Sequence, residues 1–119
     1  MPKNDEQVAA LKRHIETFFA RHGLTTFAWL EGRDVTEEQA AQGGEKTYFM
    51  MGFDSEVYKM FWPLPDIEVK EIMRSRSLRK TFDDIVAKHG FWTEFDDITR
   101  VAFMSVEDTP PKRESETKT

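Results

Sequence analysis

The chain has 119 residues, of which 39% are hydrophobic and 13% aromatic, and it contains no cysteine. This length fits one domain of ordinary size, and the apolar content is enough to build a core, which excludes global disorder. Without cysteine there is no disulfide, zinc–thiolate site, iron–sulfur cluster or cysteine nucleophile, and a net charge of -5 argues against a protein that coats nucleic acid.

The first strong pattern predicts an amphipathic helix over residues 5 to 22. Asn4 is placed to cap its first turn together with Gln7, and Gly23 stands where a left-handed residue would end it. The apolar stripe recurs at spacings of three and four and consists of Val8, Leu11, Ile15, Phe18, Phe19 and His22.

A strand and a long excursion are expected next. Residues 25–31 are rich in β-branched and aromatic side chains and directly follow the helix, which favours a strand packed beneath it. Residues 32–45 offer one capped helical turn at most and end in Gly43-Gly44, so we predict a mobile surface arm and not a catalytic lid.

Two further runs predict the centre of the sheet. Residues 46–53 and 56–62 are aromatic and β-branched, and Asp54-Ser55 between them suggests a hairpin turn. The prolines at 63 and 65 cannot continue a central strand, because each lacks the donor that the ladder needs. We therefore expect a third strand that ends at Trp62.

The remaining core elements are a helical region and a hairpin. Residues 67–89 predict one broken helix or two short ones, although alternation over 67–73 also suits a strand. Residues 91–106 predict a last hairpin, of which 99–106 is the clearer strand. We expect residues 1–108 to form one domain and 109–119, which carry nothing to bury, to be a disordered tail.

These elements predict an α+β fold: a small antiparallel sheet with two helices on one face, in the approximate order α-β-β-β-α-(β)-β. Residues 11–24 and 78–91 share an apolar register and a His-Gly pair before the last residue, and similar predicted strands follow at 25–30 and 99–104, which indicates either a repeated helix–strand unit or convergence of two capped helices. The element order alone is similar to that of the small acidic dimeric chaperones of bacterial secretion systems.

Candidate catalytic groups are few. His22 and His89 occupy equivalent helix ends, where capping of free carbonyls explains histidine as well as a metal or acid–base pair would. Asp83-Asp84 and Asp96-Asp97 do not converge locally, because adjacent side chains on a helix or strand point apart. No nucleophile or phosphate-loop motif is present, so we expect no enzyme, no metal and no cofactor.

Two features indicate a binding surface. Residues 70–80 hold five basic residues against one acid, and residues 83–97 hold five acids against one base, which predicts either mutual pairing or a grip on an acidic partner. The aromatic surplus exceeds what one helical layer can cover, which points to an interface. The predicted partner-binding residues are Tyr58, Met60 and Trp62 on one face of the third strand, with Arg74, Arg76, Arg79 and Lys80.

The sequence thus favours a non-enzymatic protein-binding module of the adaptor, chaperone or inhibitor type, with a homodimer as one form it can take. The alternative is a nucleic-acid-binding regulator that uses residues 70–80. The longest apolar stretches are only a few residues long, and residues 1–22 lack a continuous apolar centre. We therefore expect a cytoplasmic protein with no membrane span or signal peptide.

Overall fold

The computed structural model describes residues 3–32, 47–63 and 68–106, and within these ranges three helices and four strands follow one another in the order α-β-β-α-α-β-β. Their bounds are α1 Asp5–Arg21, β1 Phe27–Glu31, β2 Phe49–Phe53, α2 Ser55–Phe61, α3 Val69–Lys88, β3 Phe91–Asp97 and β4 Arg100–Ser105. The predicted α+β class is confirmed.

The four strands form one antiparallel sheet in the order β1-β2-β4-β3. The two central strands are therefore distant in sequence, and Met51 of β2 lies opposite Val101 of β4. On the other side of β2, Met51 faces Trp29 of β1. The predicted final hairpin is confirmed, since β3 and β4 pair along most of their length.

Helix α1 begins and ends as predicted. Asn4 accepts a hydrogen bond from the backbone N–H of Gln7 at 2.9 Å, and the Gln7 side chain accepts one from the Asn4 N–H at 2.8 Å. This reciprocal pair satisfies two N–H groups that the first turn would leave open. At the other end Gly23 has φ of 69°, the left-handed conformation that stops the helix after the His22 cap.

The predicted third strand at 56–62 and the hairpin turn at Asp54-Ser55 are wrong, because this segment is helix α2. Its backbone N–H groups turn back along the chain: Tyr58 donates to the Asp54 carbonyl and Trp62 to the Tyr58 carbonyl. Val57, Met60 and Phe61 are buried, at a spacing of three and four. The same residues can alternate, but burying this stripe on the core decides for the helix.

Helix α3 is continuous over its 20 residues, so the prediction of a broken or double helix is wrong in that respect. No proline or glycine interrupts it, and the ion pairs Arg79–Asp83 and Lys80–Asp84 bridge successive turns at the four-residue spacing. The strand alternative for the start of this region is also wrong from Val69 onward, while residue 67 lies outside the described ranges.

The core lies between the helices and one face of the sheet. Its largest fully buried side chains are Phe19, Phe49, Phe82, Phe91 and Phe103. These rings interlock, with Phe49 stacked on Phe103 at 4.4 Å between centroids. The opposite face of the sheet carries a smaller cluster of Met50, Ala102 and Met104, packed with Trp92. The aromatic and methionine surplus is thus shared between both faces.

The two similar sequence segments occupy equivalent places. Helices α1 and α3 both end at a His-Gly pair in which the glycine has positive φ, and each is followed by two strands of the sheet. The fold therefore contains two αββ units that meet at the β2–β4 pair, with α2 between them. The strand after α3 is β3, however, and not the segment 99–104 that the sequence comparison had matched to 25–30.

Some expectations fall on residues that the structure does not describe: most of the predicted arm at 32–45 and the predicted tail at 109–119. Among the helices within the described ranges, none combines the length and apolar composition that crossing a bilayer requires.

Candidate functional site

Helices α2 and α3 enclose a groove of about 550 Å³, which we call the α2–α3 groove. Its volume lies within the range of about 300–1,000 Å³ that ligand and side-chain pockets occupy. The described residues that line it are Met60, Phe61, Pro63, Ile72, Arg76, Arg79, Lys80 and Asp83. One wall is thus apolar and the other is mostly charged.

The apolar wall depends on α2 being a helix. Val57 and Phe61 are buried and anchor α2 to the core, with the Phe61 ring edge-on to Phe82 at 5.2 Å. Met60, one residue earlier, is also largely buried and contributes to the groove lining, and Pro63 follows at the helix end. Proline restricts the backbone φ angle where the chain leaves the helix.

The first half of α3 extends the apolar surface beyond the groove. The buried stripe of this helix begins only at Leu78, and before it Val69 is 71% exposed and Met73 64% exposed. Both lie within one helical turn of Ile72, which lines the groove. Exposed apolar side chains that adjoin a groove are typical of a surface where another molecule packs.

The charged wall contains three cations, which differ in whether a carboxylate neutralises them. The Arg79 guanidinium lies over Phe61 at 4.9 Å from the ring centroid, and its Nε donates to Asp83 at 3.2 Å. The Lys80 ammonium pairs with Asp84 at 3.0 Å. Among the described residues Arg76 has neither a hydrogen bond nor an ion pair, so its positive charge faces the groove uncompensated.

The groove collects four of the seven predicted partner-binding residues: Met60, Arg76, Arg79 and Lys80. Tyr58 is half-buried on α2, and it no longer shares a strand face with Met60 and Trp62. Trp62 is 37% exposed, packs its ring at a tilt against Phe95 with centroids 4.7 Å apart, and donates its Nε1–H to the Ile98 carbonyl.

Arg74 points away from this site, since its side chain donates to the His22 carbonyl at 3.4 Å. The sequence reasoning missed Phe61, Pro63, Ile72 and Asp83. A signal for two of them was present: Ile72, Arg76 and Asp83 follow one another at spacings of four and seven, which places them on one helix face.

Asp83 and Asp84 of the acidic segment pair with Arg79 and Lys80 of the basic one, so the mutual pairing that one of the two sequence interpretations required holds for two of the five basic residues. Besides the pairs made by Asp83 and Asp84, Lys70 pairs with Glu68 at 3.5 Å. Exposed pairs of this kind contribute little to stability, about 0–1 kcal/mol each. Their effect on function is larger, because they reduce the positive charge that residues 70–80 can offer to phosphate groups.

The histidine pair in the structure is His14 with His89, and not His22 with His89 as considered from the sequence. His14 Nδ1 and His89 Nε2 lie 3.0 Å apart and share a hydrogen bond between α1 and the end of α3. Burial, followed by the charges of His14 and Lys88, lowers the pKa of His89 below its ordinary value of 6.5. His22 instead packs its ring against Phe18 at 5.1 Å.

Asp97 occupies the β3–β4 turn, where it accepts hydrogen bonds from the backbone N–H of Thr99 at 2.7 Å and from its hydroxyl at 3.0 Å. These bonds, and the nearby Arg100, lower the pKa of the Asp97 carboxyl below 3.8. This role is that of a turn residue. Within the described ranges no group of three or more histidine, aspartate or glutamate side chains converges as a metal cluster would.

Comparison of the chain with protein-family models, with curated proteins and with solved structures finds no match. Any function for the chain therefore has to be argued from its own residues.

Proposed function

We propose that the chain is a non-enzymatic protein-binding module of the adaptor, chaperone or inhibitor type, which receives a short segment of a partner protein in the α2–α3 groove. The observation that carries this proposal is the Arg76 cation, which has no ion-pair partner among the described residues and lies beside an apolar wall. A charge at the edge of an apolar groove fixes the orientation of an incoming segment, and the apolar wall supplies affinity.

The groove chemistry specifies the partner segment as an apolar side chain next to a carboxylate. Ile72 and Pro63 offer the apolar contacts, and Arg76 offers a guanidinium that binds a carboxylate through two parallel hydrogen bonds. Arg79 is already paired with Asp83, so Arg76 is the guanidinium that binds the carboxylate of the partner. The described lining offers no nucleophile beside a general base, which favours binding over catalysis.

A displayed library of short random peptides tests the proposal directly. Selection on the wild-type chain should enrich sequences in which Asp or Glu adjoins an aromatic or aliphatic residue. Arg76→Glu should weaken the selected peptides about 10- to 100-fold, because a charged hydrogen bond contributes about 1.5–3 kcal/mol. Ile72→Ala should weaken them through the apolar wall.

Arg74→Glu is the matched control, since it makes the same charge change on the same helix but points toward His22. Peptides that bind Arg76→Glu and wild type equally, or a selection that enriches nothing, would refute the groove. Light scattering tests whether a second copy of the chain is the occupant: a dimer that Arg76→Glu dissociates would identify it. We keep the homodimer and a cytoplasmic location as parts of the proposal that require such measurements.

The nucleic-acid alternative is weaker, because three of the five basic side chains in residues 70–80 are paired with carboxylates. Fluorescence anisotropy with labelled duplex DNA and single-stranded RNA at low salt distinguishes it. Binding that falls with salt and is lost when Arg74, Arg76 and Arg79 are all changed to Ala would favour this alternative, because each phosphate contact releases counterions.

A further inference from the structure

The His14–His89 contact brings two imidazoles from different helices into chelating distance. His14 lies in the middle of α1 and His89 caps α3, both side chains are half-buried, and the rings meet edge to face with centroids 5.3 Å apart. The facing atoms are ring nitrogens, Nδ1 of His14 and Nε2 of His89, at 3.0 Å. The chain has three histidines and no cysteine, so this pair joins two of its three strong transition-metal donors.

The separation of these nitrogens, which their hydrogen bond sets, also lets both reach one metal ion. A metal ion about 2.05 Å from both nitrogens, which are 3.0 Å apart, makes an N–metal–N angle of about 94°. This is close to the 90° of two neighbouring ligands in a square-planar or tetragonal site. A tetrahedral ion would need the nitrogens about 3.3 Å apart.

We propose that His14 Nδ1 and His89 Nε2 form a two-imidazole binding site for Cu²⁺ that links α1 to α3, with water in the remaining positions. Tetragonal nitrogen sites suit Cu²⁺ and Ni²⁺, and Cu²⁺ binds most strongly of the first-row divalent ions. Both imidazoles bind in the neutral form. In the neutral pair one of the two facing nitrogens carries the N–H that makes the hydrogen bond, so metal binding requires that ring to shift its proton to its other nitrogen. Two metal–nitrogen bonds then replace the hydrogen bond, and the number of protons on the pair is unchanged.

Two lysine ammonium groups near the histidines limit the affinity of this site for a cation. Lys88 directly precedes His89 in the sequence, and its ammonium charge acts on that ring. The Lys3 ammonium lies close to Gly90, the residue that directly follows His89. These charges weaken the attraction of the site for a cation. Lys88→Gln should therefore tighten Cu²⁺ binding, because it removes a positive charge without touching either ligand.

Calorimetric titration of the untagged full chain with Cu²⁺ tests the proposal. We expect one Cu²⁺ per chain, tighter than Zn²⁺, and no binding of Mg²⁺. His14→Gln and His89→Gln should each weaken Cu²⁺ binding by at least about 10-fold, the loss typical even of an outer-shell partner. His22→Gln is the matched control and should bind as wild type does, since its ring packs on Phe18.

A measurement on the unmodified chain covers the case in which a variant fails to fold. Substoichiometric Cu²⁺ should broaden the imidazole NMR signals of His14 and His89 before that of His22. The proposal is overturned if copper spares these two signals, if both variants retain wild-type affinity as they would for a site at the amino terminus, or if Zn²⁺ binds more tightly than Cu²⁺.

Discussion

Truncation of Phe82 should remove the central contact between the helices and the sheet. Phe82 lies in α3, is 0% exposed and meets three other rings: Phe19 stacked at 5.9 Å, Phe61 edge-on at 5.2 Å and Phe103 edge-on at 6.1 Å. It therefore joins α1, α2 and β4 at one point. Phe82→Ala removes an aromatic side chain from a site whose ring neighbours are held on three different elements and can collapse only partly.

The expected loss is about 3–5 kcal/mol of unfolding free energy, against a total of about 5–15 kcal/mol for a domain of ordinary stability. At this chain length the loss corresponds to roughly 4 °C per kcal/mol, so the melting temperature should fall by about 12–20 °C. Thermal and urea unfolding followed by circular dichroism measure it. Thr81→Ala is the matched control, since the neighbouring side chain is exposed and should cost less than about 0.5 kcal/mol. A loss below about 1 kcal/mol for Phe82→Ala would refute this account of the core.

Two further predictions concern the backbone and the turn. Gly32→Ala should lower the unfolding free energy more than Gly23→Ala does, because a Cβ at position 32 would overlap the Thr47 carbonyl oxygen. A Cβ at position 23 has no atom within contact distance and adds only the strain of the left-handed backbone, about 1–2 kcal/mol. Equal losses in urea unfolding would contradict this prediction. Thr99→Val should raise the pKa of Asp97 toward 3.8, because it removes the hydroxyl donor. The depressed pKa means that this carboxylate stabilises the fold above its unfolded pKa and that the contribution disappears as pH falls through the folded pKa. An NMR titration of the Asp97 carboxyl measures the change, and an unaltered pKa would show that the hydroxyl contributes nothing.

The elements that the sequence predicted well are those whose signals are local. Helix α1 has its capping box, its apolar stripe and its terminal glycine within one continuous stretch, so each signal supports the same conclusion. The β3–β4 hairpin is also local, since its strands are separated only by a short turn. The order of the strands, in contrast, has no local signal in the sequence. The β2–β4 pairing joins segments about 50 residues apart, and no neighbouring residues specify it.

The segment 55–61 shows where local reasoning fails. Seven residues give a period-two and a period-3.6 pattern almost equal support, and its β-branched and aromatic side chains favour a strand. The tertiary structure decides otherwise, because Val57 and Met60, which would point to opposite faces of a strand, are buried together on one side of a helix. Proline at 63 ends either element, so it could not discriminate between them.

This one misassigned element explains why the candidate site was half predicted. The basic wall is continuous in sequence, and Arg76, Arg79 and Lys80 could be identified from charge alone. The apolar wall requires α2 to run beside α3. A helix of this length spans about 10 Å, whereas a strand of seven residues spans about 23 Å. The short span holds Met60 and Pro63 next to α3, where they face Ile72 across the groove. A strand would have carried them along the sheet and left the cations without an apolar wall opposite.

The groove is therefore a consequence of the helical state of α2. A proline within α2, such as Lys59→Pro at an exposed position, should abolish peptide binding more severely than Lys59→Ala, because it breaks the helix without touching any residue that lines the groove.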